Sequence, residues 1–420
     1  MAAAVDLRFP SGAWAWAGSA LALYALLCAL LRHRQQHAME AAHPFPTRAS
    51  LASMTHAQAY EIQKWLGEQE FPSVIAGSIF FALFKTYSVP SISQLLAQTG
   101  EIGRCGNGRR DVEKTSKRAA DTSVLLTNMV VARPQSARAV QAVARTRFLH
   151  AAHRRAGRIS DDDMLYTLSL FTLEPMRWVD EFEWRRLSAA ERCAVAAFWK
   201  ALGEDLDVPY RALPSSRAAG GAGWVDGLHW LEELDAWRRE YAARHVRLHE
   251  SNVALAAATL DIALFELPAV LKLAGRHVVS ILLGPEVRDA VGLPPPPAHY
   301  ETIFRIAVAA RKFVVRHLCL PRPHWLRMRH LLDDPDPHTG RYHVARWIAH
   351  PWYARRGRWG PRAWLRWARG GVEDENRFHA EGYKIREVGP ARLVGKGGDE
   401  MDEIEQSVRA RRGTCPVATL

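Results

Sequence analysis

The chain has 420 residues, 48 % of them apolar, and a formal net charge of +12. That is enough for one large domain or two with a sizeable core. Its five cysteines, at positions 28, 105, 193, 319 and 415, form no CxxC pair. This excludes a zinc ribbon and a disulfide framework and fits a reducing compartment for the body.

Ala13 to Leu31 carries no charge in 19 residues. At ~1.5 Å per residue this is about 28 Å of helix, close to the ~30 Å hydrocarbon core of a bilayer. Trp14 and Trp16 sit at one end as interfacial anchors would, and Arg32, His33 and Arg34 follow the other end directly. No small-residue cleavage site precedes them, so a retained transmembrane helix is expected rather than a cleaved signal. Cys28 is expected in lipid. The basic flank places the body on the cytosolic side.

The organisation expected is a tail and anchor over 1–34, a polar linker over 35–54, a helical catalytic domain over 55–398 and a charged tail over 399–420 that frays. Thr55 reads as the N-cap of the first domain helix, and Pro72 and Pro90 punctuate the next helices. Asp111 to Val131 reads as one helix, and Ser136 to Ala156 as the next, ended by Gly157. Ser160 with three aspartates opens a third. Ser188 and Glu191 make a capping box. Leu213 to Gly227 is a loop whose glycines lack GxGxxG spacing and a preceding strand, which excludes a dinucleotide fingerprint. Leu228 to Leu283 returns to long apolar helices. There, Glu266, Pro268, Lys272 and Arg276 interrupt the run and argue against a second span. Gly292 to Tyr300 is a rigid turn into a helix over Glu301 to His317. Strand-like alternation is nearly absent, so the fold class is all-α: one large helical domain behind one N-terminal transmembrane helix.

Arg341 to Gly370 holds eight arginines, five tryptophans and no acid. Such a pattern fits nucleic acid, anionic headgroups or arginines stacked on tryptophans. Beside an apolar span the last two readings are favoured, and no nucleic-acid partner is expected.

Arg118, Thr122, Leu125 and Met129 share one helical face, with Asp121 beside them at i+3. A helix that buries Leu125 and Met129 carries its polar turns toward the core, where Arg118 and Asp121 must be paired or functional. His150 follows Val143 by seven residues and points the same way. On spacing alone it reads as a core histidine or a ligand. His153 reads as solvated beside Arg154 and Arg155. The chain has no pair of Glu-x-x-His motifs for a di-iron site, no nucleophile elbow and no phosphate loop. Trp178 and Trp184 read as core, and Glu174 before Pro175 as structural.

Several long blocks in one order carry a family resemblance. They are "ALFKTYSVPSISQLLAQTG" from Ala82, "KRAADTSVLL" from Lys117, the stretch Arg145 to Arg185, "GRYHVARWIAHPWY" from Gly340 and "EGYKIREVGPARLVGKG" from Glu381. From about Thr55 to Gly398 the chain resembles the fungal ER-bound oxygenases of the mycophenolic-acid-pathway type. More distantly it resembles the catalytic domain of rubber oxygenases (latex clearing proteins). The resemblance implies an all-helical oxygenase with haem b and dioxygen as co-substrate. His150 matches the proximal haem-iron ligand, and Arg118, Asp121 and Thr122 match the distal, catalytic side. Asp121 stands where the bacterial enzymes carry a lysine. An aspartate serves as a base or holds Arg118 in place, and donates only when protonated.

The implied activity is oxidative cleavage of a C=C bond in a hydrophobic, prenyl-like chain of a secondary metabolite. The implied enzyme is anchored as a single-pass protein in the endoplasmic reticulum. The alternatives are a haem-binding oxidoreductase that does not cleave C=C and a non-catalytic membrane scaffold.

Overall fold

A computed structural model describes the backbone of residues 11–100, 111–332, 334–355 and 375–414, and most of their side chains. The elements run α1 (Ser11–Leu31), α2 (Arg34–Ala42), α3 (Arg48–Leu51), α4 (His56–Trp65) with a π turn over Leu66–Glu70, α5 (Pro72–Thr86) and α6 (Pro90–Gln98). Then come α7 (Val112–Val131), α8 (Ala137–Arg155), α9 (Asp161–Phe182), α10 (Ala189–Asp205), α11 (Gly227–His245) and α12 (Glu250–Ala263). The last are α13 (Ala269–Leu283), α14 (Pro285–Ala290), α15 (Ala298–His317) and α16 (Gly398–Thr414). Among the described residues there is no strand, only two isolated bridges, Leu331 with Val344 and Tyr342 with Tyr383. The all-α expectation holds.

Local chemistry sets the boundaries. Thr55 with Gln58 and Ser188 with Glu191 close reciprocal capping boxes. The side chains of Asp111, Ser136 and Ser160 cap α7, α8 and α9 by accepting from the backbone N–H three residues on. Pro72 and Pro90 take the first helical position, where the missing N–H costs nothing. Gly157 ends the α8 turn at φ +64°, a left-handed conformation suited to glycine.

Helices α4, α5 and α7–α11 surround the main core, centred on α9 and α10. A second, aromatic-rich cluster joins Phe81, Phe84, Tyr87, Trp178 and Phe182 to Leu255, Leu260, Val279 and Leu283. Trp178 and Trp184 are core residues, as expected, and Tyr166 is buried with them. Glu174 is structural, as expected: its carboxylate takes Lys85 Nζ at 2.8 Å and Arg177 at 2.8 Å. Burial raises that carboxyl, but Lys85 and Arg177 outweigh it and hold it below its ordinary value.

Three expectations at the chain ends change. The charged stretch expected to fray is α16, which packs on α8 with Met401 and Val408 buried. Burying two such side chains contributes roughly 1.5–3 kcal/mol each, enough to dock a helix whose other positions are charged. Cys28, expected in lipid, is fully buried by the protein. Arg32 is buried too, its guanidinium 4.2 Å from the Trp184 ring centroid, so this cation packs on the body instead of standing free beside an anchor. Leu23, Leu26, Leu27 and Leu30 remain exposed on α1. Among the described residues no single helix is long and apolar enough to cross a membrane; α5 and α6 reach that length only as a pair bent by 90°. Of the arginine- and tryptophan-rich region, 356–370 lies outside the described residues.

Replacing Lys85 with alanine leaves the buried Glu174 with Arg177 alone. We expect a loss of about 3 kcal/mol, the low end for breaking a buried pair, read as a fall in the urea midpoint with an unchanged slope.

Candidate active site

Helices α7 and α8 form an antiparallel hairpin that turns at Pro134. Its register brings Asn128 opposite Arg138, whose Nε donates to Asn128 Oδ1 at 2.8 Å. Further along the hairpin, Arg118 of α7 lies close enough to His150 of α8 to act on its imidazole. Burial first, then the Arg118 guanidinium, then His153 and Arg154, depress the His150 imidazole to about 4. His150 is therefore neutral at physiological pH. It makes no hydrogen bond to another described residue.

The three expected distal residues do not form one cluster. Arg118 and Thr122 stack at i, i+4: the guanidinium donates to Thr122 Oγ1 at 2.6 Å, and the hydroxyl donates to the Arg118 carbonyl at 3.0 Å. Asp121 stacks instead on Lys117, whose Nζ lies 2.7 and 2.8 Å from the two carboxylate oxygens. Tyr353 Oη donates to Asp121 Oδ1 at 2.7 Å. The expected Arg118–Asp121 pair is thus replaced. Residues three and four apart can both meet on a helix, and here each of the two takes the partner four positions away. Arg118 turns toward His150, and Asp121 toward Tyr353.

Asp121 is 4 % exposed, and burial raises its carboxyl above the usual range against the opposing pull of Lys117 and Tyr353. Burial, then the neighbouring carboxylate, push the Tyr353 phenol far above its ordinary value. The network holds one ammonium, one carboxylate and one phenol in contact, an arrangement able to keep or pass a proton. Lys117 also lines a polar cleft of about 330 Å³ with Asp111, Glu113, Lys114, Trp352 and Arg377, which gives the network a route to water. Lys117 and Tyr353 were missed as site residues. Lys117 was within reach of the i, i+4 rule. Tyr353 lies 232 positions from Asp121, and no local pattern joins them.

On the other side of Arg118 stands Tyr87. Burial raises its phenol, and Arg118 and a hydrogen bond with Thr259 oppose that rise. Tyr87 belongs to the aromatic-rich cluster, so the Arg118 side of the hairpin borders apolar surface. His153 is only partly buried, in keeping with the solvated position expected, although its Nδ1 turns inward without a hydrogen-bond partner. Arg145, buried on α8, donates to the carbonyls of Val388 at 2.8 Å and Leu393 at 3.1 Å, fixing the C-terminal segment over the hairpin. Among the described residues no three His, Cys, Asp or Glu side chains stand together as a metal cage.

By class this is an all-α protein whose polar site lies inside a helical hairpin, sealed by a distant loop. Residues 104–315 match the family described as "ER-bound oxygenase mpaB/B'/Rubber oxygenase, catalytic domain". The chain is 38 % identical over 400 residues to the ER-bound oxygenase mpaB' of Penicillium brevicompactum, covering 94 % of this chain and 92 % of the relative. It is 37 % identical over 350 residues to mpaB of the same organism (83 % and 80 %). It is 40 % identical over 271 residues to mpaB of Penicillium roqueforti strain FM164 (64 % and 87 %). The chain belongs to this oxygenase family, and it is an enzyme.

The depressed His150 makes folding pH-dependent. The imidazole is neutral when folded and takes up a proton near pH 6.5 when unfolded. Its stabilising contribution is therefore complete above that pH and is lost as pH falls toward 4. Discounted for partial exposure, at most about 3 kcal/mol is involved. His150→Gln should flatten this part of the acid limb in urea titrations run across that range.

Proposed function

We propose that this oxygenase holds haem b on His150 and cleaves a C=C bond in a hydrophobic, prenyl-like chain with dioxygen as co-substrate. The observation that carries this reading is the neutral His150 imidazole, free of hydrogen bonds to other described residues and close to the Arg118 guanidinium across the hairpin. Metal ligation needs a neutral imidazole, and a group with carboxylate or oxygen character on that side would meet a fixed cation. When bound, haem supplies the activation of dioxygen and the oxidation of the double bond.

The chain's own residues do the rest. Thr122 accepts from Arg118 and so orients it toward His150. Asp121, buried with a raised carboxyl, holds a proton or accepts one through Lys117 and Tyr353. The aromatic-rich cluster beside Tyr87 offers an apolar, water-poor surface for a hydrocarbon chain. A haem-binding oxidoreductase that leaves C=C bonds intact is the second reading, and products labelled from dioxygen separate the two.

The names of the relatives support attachment to the endoplasmic reticulum. We propose the same for this chain, with α1 as a single-pass anchor and the body facing the cytosol. The exposed leucines of α1 support this reading.

Two experiments test the proposal. In purified protein, His150→Ala should abolish the Soret band while His153→Ala keeps it; equal haem content in both variants refutes the ligand assignment. Asp121→Asn should fold, stay coloured and lose most of its turnover, because it removes the charge and keeps the shape; near wild-type turnover would reduce Asp121 to a structural partner of Lys117.

The anchor is tested with Leu23→Arg combined with Leu26→Arg, which leaves the buried Cys28 and Arg32 in place. The wild type should resist alkaline extraction from membranes, and the variant should be extractable by salt. A variant as resistant as the wild type rejects α1 as the anchor.

A further inference from the structure

Helix α15 is unusual among the long helices in burying none of its residues. Its sequence divides into three stripes. Phe304, Val308, Arg311 and Val315 face inward: Phe304 meets Phe182 edge to face at 5.9 Å, and Arg311 donates to the Phe182 carbonyl and to Glu183, both at 2.8 Å. Ile303, Ile306, Phe313 and Val314, at spacings of 3, 7 and 1, form an outward stripe with exposures of 60, 63, 59 and 43 %. Arg305, Lys312 and Arg316, spaced 7 and 4, form a third stripe along one flank, and Glu301 is the helix's one acid.

Neighbouring elements extend the outward stripe. Beside it α13, joined through the His277 ring set against Tyr300 at 4.5 Å and tilted by 41°, exposes Val270 by 86 % and Leu273 by 63 %. The C-terminal half of α1 lies at the other end, where Tyr24 Oη donates to the Leu318 carbonyl at 3.1 Å. Just beyond α15, Trp325 is 80 % exposed.

A helix fully apolar on its outer face loses roughly 25 cal/mol per Å² by standing in water, so this surface calls for a cover. Two features decide which. The cationic flank matches anionic headgroups, and the apolar stripe is continuous with α1. A second copy of the chain would set the same arginines and lysine against themselves. We propose that the α13–α15 face, with Trp325, is a second membrane contact. It would lie in the interface plane of an anionic bilayer, apolar stripe down and Arg305, Lys312 and Arg316 at the headgroups. This goes beyond the α1 anchor and shares with it only the reading that the enzyme sits on a membrane. The inner stripe of the same helix packs on the aromatic-rich cluster that reaches Tyr87 beside Arg118. The face therefore overlies the apolar surface assigned to the substrate.

The test uses the full chain carrying an environment-sensitive fluorophore at Ala310→Cys, with the accessible native cysteines changed to serine. The protein is reconstituted in phosphatidylcholine vesicles with and without phosphatidylserine. The expected result is a blue-shifted emission, stronger with phosphatidylserine, that lipid-borne quenchers reach and aqueous iodide does not. Arg305→Glu with Lys312→Glu and Arg316→Glu should abolish the shift while the chain still sediments with vesicles through α1. A chain that sediments while its label stays open to iodide overturns this proposal alone. A label shielded from both quenchers points to a second copy and also overturns it. A chain that does not sediment at all overturns both membrane readings. Sedimentation that itself requires the three cations supports the face and rejects the α1 anchor.

Discussion

Everything at the candidate site depends on the register of the α7–α8 hairpin. A one-residue slip would rotate each helix by about 100° relative to its partner and take Arg118 away from His150. Three buried polar contacts hold that register. Arg138 bonds Asn128 near the turn, Asn128 also bonds the Tyr383 hydroxyl at 3.1 Å, and Arg145 is fixed to the carbonyls of Val388 and Leu393. Each is costly to break, because a buried guanidinium or amide left unmatched loses its full solvation. The C-terminal segment is therefore part of the site: it clamps the hairpin from outside and supplies Tyr353 to Asp121.

The division of α7 into two polar faces follows from the same geometry. Lys117 and Asp121 look toward the C-terminal segment and the polar cleft, where water and protons are available. Arg118 and Thr122 look toward His150 and the aromatic cluster, where water is scarce. One helix thus separates a proton-handling side from an apolar side, with only one residue step between them. Charge on Asp121 is coupled to both sides: Arg118 draws its carboxyl down, and Asp121 in turn raises Arg145 against the effect of burial. Neutralising that carboxylate should therefore act on orientation as well as on proton supply.

Much of this was legible in the sequence for physical reasons. Caps such as Thr55–Gln58, Ser136 and Ser188–Glu191 act within four residues, so local reading finds them. The face shared by Arg118, Thr122, Leu125 and Met129 follows from helical periodicity alone. What escaped is what depends on distant packing. Tyr353 reaches Asp121 only once the irregular C-terminal segment has folded back. The same holds for α16, whose charged composition suggests fraying until Met401 and Val408 meet α8. Cys28 and Arg32 were assigned to lipid and flank because an uncharged run is read without knowing what it packs against; here Trp184 receives Arg32.

The two apolar surfaces of α15 connect these observations. A helix that only completed a core would need one apolar stripe, and one that only floated on a membrane would need no inward contacts. This helix has both, separated by a cationic flank. Its inner stripe, through Phe304 and Val308, is continuous with the aromatic cluster that ends at Tyr87 and Arg118. A hydrocarbon chain dissolved in a bilayer would lose apolar burial in crossing water to reach a buried site, at ~0.8 kcal/mol per methylene. An enzyme acting on such a chain is better served by a site that stays against the membrane than by one tethered at a distance. With α1 already packed on the body through Cys28 and Arg32, the outer apolar stripe of α15 would hold that proximity on a second face.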